Sequence, residues 1–112
     1  MAAVRIEGLP DQASAAAAAF HGRIAALLAT SPAGETFTLI FDAADHTHQA
    51  WRLAAVQMLA REKAPWRVNA IAGGSAAAVA AARVYLEAAD GVTGQYLPLD
   101  DAGAGCVIQS VK

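Results

Sequence analysis

The chain is poor in the residues that most narrow a function. A single cysteine, Cys106, stands among 112 residues, which excludes an internal disulfide and a thiolate metal centre and fits a reducing compartment. Lysine and arginine number 8 against 10 acidic residues. They form no basic block, so nucleic-acid binding, which needs clustered cations on phosphates, is disfavoured. No run of about 18 uncharged apolar residues occurs, because Arg23, Arg52, Arg61 and Arg83 break every long apolar stretch; no membrane partner is expected. The first seven residues lack the apolar centre of a secretory signal. These absences describe a soluble, cytoplasmic, bacterial-type protein of one domain, residues 1–112, large enough to fold without staples.

What the chain has in quantity is apolar residues, 56% of the total. Much of that is alanine, which favours helix but contributes little burial energy. The core should therefore rest on Val4, Ile6, Phe20, Ile24, Leu27, Leu28, Phe37, Leu39, Phe41, Trp51, Met58, Leu59, Val68, Ile71, Val79, Leu86, Tyr96, Leu97 and Leu99. Val4 and Ile6 alternate with Arg5 and Glu7, the pattern of a strand with one wet face. Asp11 or Ser14 can cap a helix running to about residue 29, and Pro32 and Gly34 mark a turn. The spacing then predicts a buried strand over 36–41, a helix over 46–63 stopped by Pro65, a short strand over 67–72, a helix over 76–89 and a strand over 95–99. A short fifth strand is expected over 106–111. The order β-α-β-α-β-α-β with right-handed crossovers makes an α/β, three-layer protein: a parallel sheet of four strands with helices on both faces. Alternation in the first strand and Pro98 in the last place both at sheet edges.

Two segments carry a recognisable text. One reads Leu59-Ala60-Arg61-Glu62-Lys63-Ala64-Pro65-Trp66-Arg67-Val68-Asn69-Ala70-Ile71-Ala72-Gly73, the other Val92-Thr93-Gly94-Gln95-Tyr96-Leu97-Pro98-Leu99-Asp100. Together they resemble the last third of a short-chain dehydrogenase/reductase, most strongly over residues 50–100. The resemblance implies a half-Rossmann-like fold and, in a complete member, hydride transfer to and from a nicotinamide cofactor. In the family a tyrosine, and a lysine four residues on, open the helix that ends in the Ala-Arg-Glu segment. Counting back from Glu62 puts Asp45 near the tyrosine position and Gln49 near the lysine position, and the family's serine falls near Asp42-Ala43-Ala44. Donating a proton during hydride transfer needs a phenol whose pKa a neighbouring cation lowers; aspartate and glutamine do not supply that pair. The glycine-rich dinucleotide turn is missing, and Gly103-Ala104-Gly105 reads as a loop. The resemblance without these groups implies no enzyme activity and no cofactor.

Few side chains remain that could do chemistry. Asp42, Asp45, His46 and His48 are the one concentration of ligand-capable groups, at the carboxyl end of a strand where open α/β sheets place ligands. They read either as a metal or acid/base cluster or, with Asp45 or Thr47 as a cap, as a solvated loop; the loop is the preferred reading, with no metal. Ser75 follows Gly73-Gly74 at a helix start, where it caps the helix or helps hold an anion, capping being preferred.

The helices argue for association. On the first, Phe20, Ile24, Leu27 and Leu28 form one apolar stripe, and Ala18, Gly22, Ala25 and Ala29 form a small-residue face that permits close approach. On the second, Trp51, Ala55, Met58 and Leu59 leave little of the circumference polar. In the resembled family the matching helices pair between subunits. These residues predict a homo-oligomer, dimer or tetramer, or a heteromer with a full-length dehydrogenase. The expected role is a non-catalytic assembly module. The alternative is a small-ligand or nucleotide binder, or a residual oxidoreductase, using the crevice between residues 42–48 and 73–75.

Overall fold

A computed structural model describes residues 2–29 and 36–99. Four strands form one parallel sheet: β1 (Ala2–Ile6), β2 (Phe37–Phe41), β3 (Val68–Gly73) and β4 (Tyr96–Leu99), in the order β1-β2-β3-β4. Three helices connect them, α1 (Ala13–Ala29), α2 (Gln49–Glu62) and α3 (Ala76–Ala88). A single 3₁₀ turn, His46–His48, leads into α2. The expected fifth strand and the Gly103 loop lie outside the described residues. No helix among the described residues is long and apolar enough to cross a membrane.

Burial follows from which face each helix covers. β2 and β3 are central and apolar on both sides, so nearly every residue in them is buried. β1 alternates as its sequence says, Val4 and Ile6 inward and Ala3 and Arg5 outward, because it is an edge. Pro98 sits in the other edge strand, where a missing backbone donor costs no ladder bond.

α1 and α2 lie together on one face, over Val4, Ile6, Leu39, Phe41, Val68 and Ala70. α3 packs Ala82 and Leu86 against Ile71 on the other face, with Leu97 and Leu99. All three crossovers step the same way across the sheet. Helices on opposite faces therefore require the third crossover to be opposite in hand to the first two. This corrects the expectation of right-handed connections throughout, a strong rule that tertiary packing overrides here. A second correction concerns Met58, which was expected in the core and is 37% exposed on the outer side of α2.

Candidate functional site

The carboxyl ends of β2 and β3 frame the crevice that the sequence singles out, and its candidate residues divide between rim and core. Asp42, Asp45 and His46 are exposed. Asp45 caps the 3₁₀ turn: one carboxylate oxygen accepts from the Thr47 amide at 2.9 Å and from the Thr47 hydroxyl. The hydroxyl first and the amide second hold the Asp45 carboxyl below its ordinary value of 3.8. That is the capping role the sequence allowed.

His48 goes elsewhere. It is 5% exposed and turned into the core. The Trp51 indole N–H donates to its Nδ1 at 3.0 Å, and its Nε2 lies 2.8 Å from the Asp11 carbonyl. An indole can only donate, so Nδ1 accepts and Nε2 carries the hydrogen given to Asp11. Both nitrogens are thereby used to tie α2 to the segment before α1. His48 therefore does not join His46 and Asp42, and no group of three histidine, cysteine or acidic side chains converges among the described residues. The solvated-loop reading also needs correcting at this one residue, since His48 is neither solvated nor a ligand.

Across the crevice, Gly73 and Gly74 adopt positive φ of 70° and 82°. A Cβ on Gly73 would also stand 3.2 Å from the Ala43 side chain, a tight contact that the β2 end would have to relieve by shifting slightly. Ser75 caps α3, its hydroxyl accepting from the Ala78 amide at 3.1 Å.

Behind this turn a groove of about 460 Å³ lies beside α3 on its face of the sheet. Asp42 and Gly73 mark one end, Arg5 and Arg83 the walls, and Ile40 and Val79 the apolar lining.

Sequence reasoning missed three polar residues that hold this end of the molecule. Arg52 is only 3% exposed. Its Nη1 donates to the Asp42 carbonyl at 3.0 Å and to the Tyr96 hydroxyl at 3.2 Å, and the guanidinium stacks 4.4 Å from the Phe41 ring. An arginine inside a helix otherwise apolar all round was the available signal. Arg67 donates to the carbonyls of Leu86 and Ala89 at 2.7 and 2.8 Å, closing the carboxyl end of α3. Asn69, fully buried, donates to the Val92 carbonyl and accepts from the Gln95 amide, both at 3.0 Å.

These bonds show how the two recognisable segments work. Val68 accepts from the Gly94 amide at 2.7 Å, and its own amide donates to the Thr93 hydroxyl at 3.0 Å. The Arg-Val-Asn and Val-Thr-Gly-Gln segments are therefore one joint between β3 and β4, and their characteristic letters are structural.

Comparison with known proteins agrees with that text. The sequence model described as short chain dehydrogenase-like protein matches residues 4–99, nearly all of the described chain. No curated protein and no solved structure matches it. The chain belongs to the short chain dehydrogenase-like family.

Proposed function

We propose that this member of the short chain dehydrogenase-like family is a non-catalytic module that acts by association, with a second copy of itself or with a full-length dehydrogenase. The observation that carries the reading is the outer surface of α1 and α2. Ala18, Gly22, Ala25 and Ala29 lie exposed along α1. Leu53 and Met58, each 37% exposed, stand on the outside of α2. Large side chains beside a smooth small-residue face suit helix-to-helix docking. The burial pattern narrows the predicted interface: Ala55 and Leu59 belong to the core against the sheet, and Trp51 packs its ring on Phe20 and Phe41. Contact with a partner then falls to the four small residues of α1 and to Met58 and Leu53. The absence of catalysis in this reading rests on chemistry. Counted back from Glu62, the family's tyrosine and lysine would fall near Asp45, which Thr47 engages, and near Gln49.

Light scattering at micromolar concentration tests it. An assembly of at least twice the 11.4 kDa chain is expected, reduced to monomer by a Leu53→Glu, Met58→Glu double substitution. α3 also exposes Val84 and Tyr85, so Val84→Glu serves as the control on the opposite face. A monomeric wild type that also recovers no dehydrogenase from its host would contradict the proposal.

A second reading, a small-ligand or nucleotide binder with residual chemistry at the crevice, is favoured by one observation: the groove leaving Asp42 and Gly73 along α3. Thermal shift with nucleotides and NAD(P)H tests that reading separately.

A further inference from the structure

We propose that the groove beside α3 binds a small carboxylate carrying a short apolar tail, with Arg83 as the receptor for the head group. The proposal rests on the second reading above and names its ligand class. On its face of the sheet α3 packs on Ile71, Leu97 and Leu99. Toward the β1 edge, Arg5 and Ile40 are register partners and point the same way, Ile40 buried and Arg5 exposed. The flank of α3 beside them is Ala76, Val79, Ala80 and Arg83, spaced three and four apart and so on one side of the helix. Alanine at 76 and 80 leaves the groove its volume of about 460 Å³, within the range of small-molecule sites.

The charges are unevenly satisfied. Arg5 shares its guanidinium with Glu7 at 3.7 Å. Arg83 holds its Nε buried with no hydrogen-bond acceptor, and no ion pair reaches it among the described residues. A buried Nε–H donor with no acceptor is costly, while the part-buried Arg83 side chain still borders the groove. A planar carboxylate matches its fork of donors better than a spherical anion does. Asp42 stands at the glycine end of the groove and repels a second negative group, so the head lies at Arg83 and the tail points toward Gly73. Val79 and Ala80, on the accessible flank of α3, give the tail an apolar wall. Among the described residues Arg83 is the groove cation without an ion pair, and beside the apolar flank of α3 it selects a monoanionic amphiphile.

Calorimetric titration of the whole chain with sodium octanoate tests this, with 1-octanol and inorganic phosphate as comparators. Octanoate is expected to saturate with a Kd of about 1 mM or tighter, and 1-octanol to bind at least about tenfold more weakly. Arg83→Gln should weaken octanoate at least about tenfold and leave octanol unchanged. Ala80→Leu, at an exposed helix position, fills the groove and should abolish octanoate binding while circular dichroism and Tm stay at wild-type values. The proposal is overturned by no saturable octanoate binding, by an Arg83→Gln variant that binds as the parent does, or by octanol or bare phosphate binding equally well. If octanoate is inert while a nucleotide binds and Ala80→Leu removes it, this ligand class falls and the ligand-binding reading stands.

Discussion

Around β1 and β2 the contacts run between rings and aliphatic chains, whereas around β3 and β4 they run from polar side chains to backbone. In the first region Phe20 meets Phe41 and Trp51 at ring separations of 5.5 and 5.6 Å, and Phe41 meets Trp51 edge-on at 5.8 Å. In the second, Asn69, Arg67 and Thr93 hold carbonyls and amides of the segments next to them in the sheet. Apolar packing tolerates exchange among side chains of similar volume. A buried hydrogen bond fixes a residue type, since deleting one partner strands the other. The contrast explains why the recognisable text sits in the second half of the chain. Its letters specify bonds between neighbouring strands, while the first half specifies mostly shape, with side-chain bonds to backbone from Arg23, His48 and Arg52.

Breaking each region should therefore read differently. The largest effect is expected from Phe41→Ala, which empties the ring cluster and should cost about 3–5 kcal/mol in denaturant unfolding; Phe41→Leu should recover most of that. Next comes Asn69→Leu, close in volume yet stranding the Gln95 amide and the Val92 carbonyl, at about 2–3 kcal/mol. The contrast fails if Asn69→Leu proves milder than Phe41→Leu. Gly22→Ala should raise stability by about 1 kcal/mol, because a Cβ there meets nothing within 4 Å. Gly22→Leu should leave the monomer folded and weaken association.

The smallest effect is a pH dependence at the crevice rim. The Asp45 carboxyl lies below its ordinary value of 3.8, so the folded state binds its proton less readily than the unfolded state. Its contribution is therefore fully present above about pH 4 and lost as pH falls through the folded value. An acid titration of wild type against Asp45→Asn, followed by circular dichroism, should show a shallower acid limb in the variant.

Much of this architecture was legible beforehand. The alternation of Val4 and Ile6 and the position of Pro98 identified both sheet edges, and Gly73-Gly74-Ser75 identified the turn and cap before α3. What escaped depends on contacts between distant segments. His48 looked like half of a solvated His-Thr-His pair, yet its ring is fixed by the Asp11 carbonyl 37 residues away in sequence. Arg52 read as a break in an apolar helix, and only the fold brings Asp42, Tyr96 and Phe41 around it. The hand of the last crossover was invisible too, because it follows from which sheet face has room for α3.

Under the proposed function, the short chain dehydrogenase-like framework packs and associates without hydride chemistry. Calorimetric titration with NADH and NADPH, followed by an assay of carbonyl reduction on the same sample, tests it most directly. No saturable binding up to about 1 mM and no turnover are expected. Tight binding of either nucleotide coupled to reduction of any carbonyl would contradict it.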